Sequence, residues 1–340
     1  MQVEIREVHK VELDTTTDKK PASSMKKWLR NLLKGLAIVV IAIVVFIAVV
    51  FFVDLFSSKS EQAKLLPYGQ SVTVDGKYMN VSTHGEGEET IVLLPGYGTA
   101  APALDFKPLI EQLSPFYKVV VIEPFGYGLS DLTDKERSTE NIVSEIHDVL
   151  QSLQIDRYIL MGHSISGIYG LDYVNKYPSE VSAFVGLDSS VPTLKEQKIG
   201  SSILGTLNLL KKTGFARLQL KIGDDPYAEL PYDDQTKEQL KILIHKNIYN
   251  ANQLNEAGNM YANFEAAEHL TFPKALPVMF FIQANHPVTD RWIPEHEKQI
   301  KDSVHGKMVL FEADHYLYRT HSTEIVENLR TFMEQVKQDK

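Results

Sequence analysis

Ser164 is the residue of this 340-residue chain around which most chemistry can be built. It stands in Gly162-His163-Ser164-Ile165-Ser166-Gly167, between the apolar run RYILMG (157–162) and the stretch SGIYGLDYVNKY (166–177). A serine on a sharp strand-to-helix turn holds its hydroxyl clear of the sheet, and the next backbone N–H, that of Ile165, points at a carbonyl under attack. The chemistry this suits is acyl transfer through a serine nucleophile. Such a turn needs small neighbours. Gly162 meets that need, but the fifth position is Ser166 and the glycine comes one later, at Gly167. Cysteine is absent, which excludes a thiol nucleophile, a disulfide framework and a Cys-based zinc site. The eleven histidines show no H-E-x-x-H spacing, so no metal is expected. No G-x-G-x-x-G follows the first buried run, so no dinucleotide cofactor is expected either. Ser23-x-x-Lys26 is read as a chance match in a polar tail. Asn80-Val-Ser82 is an N-glycosylation sequon only in a host that glycosylates such proteins.

The elements that must carry Ser164 follow from periodicity. SVTVDGKYMNVSTH (71–84) holds two alternating runs around Asp75-Gly76, a hairpin pattern. TIVLLPG (90–96), KVVVIEP (118–124), RYILMG (157–162), SAFVGLD (182–188), PVMFFIQA (277–284) and KMVLFEAD (307–314) are short apolar runs, as in strands buried on both faces. Helical stretches separate them: 105–114, 138–153 with Ser138 as its cap, 166–177, 290–303 and 323–338. Strands alternating with helices specify right-handed βαβ units and a mostly parallel sheet. The rhythm breaks at 189–276, which contains helical stretches (201–220, 236–267) and no convincing buried strand. Those 88 residues are expected to form a helical cap. Its apolar clusters, Ile203 to Leu210 and Phe215 to Leu220, are expected to pack mainly against the sheet, with a minority lining an apolar acyl pocket.

Four ordered motifs carry a resemblance. LLPGYGT (93–99), EPFGYGLSD (123–131), GHSISG (162–167) and ADHYLY (313–318) resemble, in this order, the oxyanion-loop, D-x-x-G-x-G-x-S-D, GHSMGG and terminal-His segments of the α/β-hydrolase superfamily. The resemblance spans roughly residues 68–336. Pro95-Gly96 stands where His-Gly is usual, and Glu123 where Asp is usual. The family's pattern implies a Ser-His-Asp triad with Ser164 as nucleophile and His315 as base, His321 being the main rival. It implies His163 as a supporting neighbour, and the N–H groups of Tyr97 and Ile165 as oxyanion donors. For the acid it leaves two places. The usual G-x-x-D site after the penultimate strand reads QANHPVTDRW, with Pro287 in the Asp position and Asp290 three residues late. Asp188, in GLDSSVP, ends the preceding core strand, a location used by some branches, including a membrane-anchored bacterial one with a similar segment. Asp188 is preferred and Asp290 is the alternative. A serine at position 164 argues against epoxide-hydrolase or dehalogenase chemistry, which in this superfamily uses Asp there.

Charge supplies the setting. The net charge of −9 argues against nucleic acid as a partner. It is split into +3 over residues 1–34, nothing over 35–53 and −12 over the remainder. The nineteen uncharged residues GLAIVVIAIVVFIAVVFFV would span about 28 Å as a helix, close to the hydrocarbon thickness of a bilayer. No A-x-A cleavage pattern follows, so an uncleaved anchor is expected over 35–54. Lys26, Lys27, Arg30 and Lys34 before the span set the N-terminus in the cytoplasm and the large domain outside. The expected organisation is a disordered cytoplasmic tail (1–34), an anchor (35–54), a stalk (55–66) and an α/β-hydrolase domain (67–340) with its cap at 189–276. The expected function is a membrane-anchored serine hydrolase acting on a small-molecule or lipid-like carboxylic ester or related acyl substrate, without cofactor. Peptidase and acyltransferase activities are alternatives within enzymes. A non-catalytic anchored receptor or scaffold of the same fold is the alternative outside them.

Overall fold

A computed structural model describes residues 22–195 and 197–339. Most of the tail 1–34 therefore lies outside the described residues. The chain divides into two units, Met1–Val49 and Val50–Lys340. In the first, helix α1 (Ala22–Gln62) begins and runs through most of the uncharged stretch with its large apolar side chains exposed as far as Val49. α1 is long and apolar enough to cross a membrane.

The second unit opens with the last turns of α1 and continues through an eight-stranded sheet. Its strands are β1 (Gln70–Val74), β2 (Lys77–His84), β3 (Thr90–Leu94), β4 (Lys118–Glu123), β5 (Tyr158–His163), β6 (Val181–Leu187), β7 (Val278–Gln283) and β8 (Gly306–Phe311), in spatial order β1-β2-β4-β3-β5-β6-β7-β8. β1, β2 and β4 pair antiparallel, and every pair from β4 onward is parallel. The hairpin turn takes positive φ at Asp75 (52°) and Gly76 (76°), which closes β1 on β2 with the twist a two-residue loop requires. β3 to β7 are almost wholly buried, as their apolar runs require, whereas β8, at the sheet edge, is only partly covered.

Helices cover both faces: α2 (Pro102–Asp105), α3 (Lys107–Leu113), α4 (Thr139–Ser152) and α5 (Ser166–Lys176), then α6 (Ser201–Lys212), α7 (Phe215–Ile222), α8 (Asp234–Asn247) and α9 (Ala251–Ala267) between β6 and β7, and finally α10 (Trp292–Ile300) and α11 (Ser322–Gln338). Two apolar cores result. One lies between the sheet and α4, α5 and α9, the other between the sheet and α2, α3 and α11. Ser138 caps α4, its hydroxyl accepting the Asn141 N–H.

Three readings change. The single helical stretch expected over 201–220 is two helices, broken at Gly214 with φ 82°; the stretch over 236–267 is also two, broken at Tyr249 with φ 52°. Asn250 restarts the second, accepting the Gln253 N–H at 3.0 Å. The apolar cluster of α6 is not packed into the core: the helix has no buried residue, and Ile203 and Leu209 are exposed. The segment expected as a stalk is helical to Gln62 and bonded to the helices that precede β7. The guanidinium of Arg217, 5 % exposed, donates to Asp54 (2.6 Å), Ser58 (2.7 Å) and Glu61.

Candidate active site

The turn from β5 into α5 holds Ser164 at φ 53°, a left-handed conformation that costs a non-glycine residue about 1–3 kcal/mol and persists only where its surroundings over-determine it. They do so here. The Ser164 N–H donates to Leu187 O (3.3 Å), and its carbonyl accepts the N–H groups of Ser190 (2.7 Å) and Gly167 (2.9 Å). The β3–α2 loop passes so close that a Cβ on Gly96 would lie 3.0 Å from the Ser164 Cβ and 2.6 Å from His163 Nδ1. Ser166, the irregular fifth position, has a use. Its buried hydroxyl donates to Pro95 O at 2.5 Å, tying the elbow to that loop. Room for its Cβ exists because Gly162, where a Cβ would come within 3.0 Å of it, has none.

His315 follows β8 and meets Asp188 at the end of β6, its Nδ1 lying 2.7 Å from Oδ2. Asp188 is fully buried and, like Ser164, left-handed, at φ 42°. Its other oxygen accepts the Gln283 N–H (3.0 Å) and the Trp292 indole N–H (2.8 Å). Burial pushes the carboxyl up, but the hydrogen bonds from His315, Gln283 and Trp292 outweigh burial and hold it below its ordinary range. Asp290, the alternative acid, is exposed in the turn after β7, and among the described residues no hydrogen bond joins it to His315. His321 stands at the start of α11, its ring against Phe311 and its Nδ1 on the Thr320 hydroxyl. His163 is fully buried. Burial, with His315 nearby, lowers it to about 3, so its ring is neutral, and Nε2 donates to the His315 carbonyl at 3.0 Å.

The N–H groups of Tyr97 and Ile165 flank this turn, and among the described residues neither donates a hydrogen bond. Their neighbours are engaged: Gly98 N–H donates to the Tyr127 hydroxyl (3.3 Å) and Thr99 N–H to Gly96 O (3.3 Å). Two unspent donors close in the chain to the half-buried Ser164 or to the loop that packs on it are of the kind an oxyanion requires.

Buried carboxylates brace the loops. Glu123, where the family's pattern has Asp, accepts from the Tyr68 hydroxyl (2.9 Å), Asn80 Nδ2 (2.9 Å), Ala103 N–H (3.2 Å) and Leu129 N–H (2.8 Å). Asn80, the sequon residue, is thus buried and occupied. Glu256 of α9 accepts the hydroxyls of Tyr127 and Tyr169, both at 2.7 Å; burial pushes its carboxyl up. Through Tyr127 it reaches the Gly98 N–H, while the Tyr97 hydroxyl donates to Gln253 O on the same helix (3.1 Å). The sequence reading missed Trp292, Gln283 and Glu256. No spacing marked them, since each meets its partner across more than 85 residues; the one hint was a tryptophan, one of two in the chain, at a predicted helix start. Among the described residues no three His, Asp or Glu side chains converge as a metal site.

A family model described as alpha/beta hydrolase fold matches residues 89–318. YbdG of Bacillus subtilis (strain 168) is 32 % identical over 261 residues, 74 % of this chain and 80 % of that protein. The serine hydrolase BPHL of Mus musculus is 32 % identical over 118 residues, 34 % of this chain and 40 % of that one, so less than half of its length is matched. Among solved structures, the epoxide hydrolase VrEH1 from Vigna radiata superposes with a TM-score of 0.59 at 17 % identity, covering 78 % of this chain and 97 % of that one. At that identity the likeness is one of fold.

Proposed function

Because the chain belongs to the alpha/beta hydrolase fold family, we propose that it is a serine hydrolase acting on a carboxylic ester or related acyl substrate, held at a membrane by α1 with its large unit outside. The observation that carries the chemistry is the 2.7 Å bond between His315 Nδ1 and Asp188 Oδ2, beside a left-handed Ser164 flanked by two unspent N–H groups.

In this reading Asp188 fixes the Nδ1–H tautomer of His315, leaving Nε2 as the base. Ser164 Oγ attacks the acyl carbon as its proton passes to Nε2. The carbonyl oxygen, now negative, takes the N–H groups of Tyr97 and Ile165. Collapse of the tetrahedral intermediate expels the alcohol, protonated by Nε2, and leaves an acyl-Ser164. Water, deprotonated by the same nitrogen, then releases the acid. A low position for the Asp188 carboxyl and a neutral His163 both suit this, because neither side chain then competes with His315 Nε2 for the proton that Ser164 gives up. The serine hydrolase named among the relatives supports the choice of serine chemistry over the epoxide hydrolysis named for the structural neighbour.

The test is labelling of the full chain in detergent with a fluorophosphonate probe, wild type beside Ser164→Ala and His315→Ala. Labelling of the wild type alone supports the reading and justifies p-nitrophenyl esters of graded chain length as substrates. A folded wild type that does not label refutes it in favour of a non-catalytic receptor or scaffold.

A further inference from the structure

We propose that Trp292 is a positioning residue for Asp188, its indole N–H deciding which carboxylate oxygen is presented to His315; this rests on the reading of Ser164, His315 and Asp188 as a triad. A carboxylate has two equivalent oxygens with about four acceptor directions between them, and nothing in the group itself selects one. At Asp188 the choice is made by donors. Oδ1 takes both the Gln283 N–H at 3.0 Å and the Trp292 indole N–H at 2.8 Å, and Oδ2 is left to His315 at 2.7 Å. Gln283 donates from the backbone of β7 and cannot turn away. Trp292 donates from a side chain, so it needs a seat of its own.

That seat is built. The indole, 7 % exposed, stacks on His286 at 4.3 Å and 22° and meets the edge of His296 at 4.8 Å and 63°. His296 is fully buried, with Nδ1 2.7 Å from Trp292 O and Nε2 2.8 Å from Ser189 O. One ring therefore joins the first turn of α10 to the residue that follows Asp188. Ser190, next along, donates its N–H to the Ser164 carbonyl. Residues 188–190 thus bridge acid and nucleophile, and Trp292 with His296 hold that bridge from the β7–α10 side. The clamp also has a load to carry, since the backbone at Asp188 is left-handed and would relax if released.

The test uses the full chain, with kcat, KM and the pH profile of kcat/KM for a p-nitrophenyl ester as readouts. Trp292→Phe keeps an aromatic ring against His286 and His296 and removes the N–H. The expected result is a roughly tenfold fall in kcat, the worth of one hydrogen bond to a charged group, with KM little changed. The acid limb is expected to move to higher pH, because a carboxylate relieved of one donor holds the His315 proton more strongly. A folded Trp292→Phe with wild-type kcat and an unmoved acid limb overturns the proposal and leaves the triad reading intact. A wild type that neither labels with fluorophosphonate nor turns over refutes the triad reading, and this one with it. Should Trp292→Phe fail to give a cooperative melt, Trp28→Phe leaves Trp292 as the sole indole of the chain. Its indole N–H resonance is expected to shift on Asp188→Asn, and an unshifted resonance overturns the proposal.

Discussion

Ser166→Ala isolates one atom pair. The hydroxyl donates at 2.5 Å to Pro95 O, with Ser166 only 1 % exposed. Deleting it removes a hydrogen bond worth about 1 kcal/mol and leaves a buried carbonyl without that donor, which raises the cost to about 1–3 kcal/mol. Alanine recovers roughly 0.5 kcal/mol as a better helix former at the first position of α5. The net loss is about 1–2 kcal/mol, which for a unit of this size is a fall in Tm of roughly 3–6 °C. Pro95 lies two residues before Tyr97, so the loosened segment carries a proposed oxyanion donor. Complete loss of such a donor costs roughly 10²–10³ in kcat. Loosening without removal is expected to cost about tenfold, with KM unchanged. Thermal melts and ester hydrolysis on the same preparation check both halves. If Ser166 only fills space, alanine melts with the wild type, and the claim that its hydroxyl ties loop to elbow is refuted. A lower Tm with unchanged kcat keeps the tie but refutes its link to the oxyanion donor.

Other expectations follow from the same geometry. Asp188→Asn is expected to lower kcat by roughly 10⁴, as loss of a tautomer-fixing acid does, while Asp290→Asn leaves it within twofold; steady-state hydrolysis by the two variants decides between them. The Asp188 carboxyl lies below its ordinary value in the folded chain, so its contribution to stability is present above the unfolded-state value and is lost as pH falls through the acid range. The Tm of the wild type should therefore fall more steeply on acidification than that of Asp188→Asn, and parallel curves would contradict the assignment. Arg217→Met takes from Asp54 and Glu61 the guanidinium they share and is expected to cost about 3 kcal/mol, read as lowered Tm and faster proteolysis after Gln62. Since the chain has no cysteine, single cysteines report topology without background. In intact cells an impermeant maleimide should modify Glu111→Cys but not Asp14→Cys, and the reverse pattern would invert the orientation.

Much of the sheet was legible because parallel strands buried on both faces must be short, uniformly apolar runs, and six such runs correspond to β3 through β8 within a residue or two, except that the last extends three residues beyond β8. Its reading as equally buried fails for β8, which has no neighbour on one side. The breaks in the helices between β6 and β7 were hidden by continuous helical composition; they depend on single left-handed residues, Gly214 and Tyr249, and at Tyr249 nothing in the residue type announces the conformation. Ser164 was legible because an elbow is a local object, made of residues adjacent in the chain. The partners of Asp188 were not, because Gln283, Trp292 and His315 lie 95 to 127 residues away and meet it only through the order of the strands.

That strand order also explains why sequence left two positions open for the acid. β6 and β7 are neighbours in parallel register, with Leu187 opposite Phe281, so their C-terminal ends open onto the same place. A carboxylate leaving either end can face a histidine that follows β8. The two solutions differ in what the backbone must do. From the end of β6 the proposed acid, Asp188, sits one residue past the strand in a left-handed conformation, and its side chain is held from the β7 side, where Gln283 and Trp292 donate. In the proposed triad the β7–α10 side supplies not the charge but the hydrogen bonds that aim it. Moving the acid back, by Asp188→Asn with an aspartate at Pro287, should therefore not restore activity while Trp292 remains, since its indole N–H would still be directed at position 188. Recovery of wild-type kcat in that double variant would show that the two strand ends are interchangeable without further change, and that the indole aims nothing.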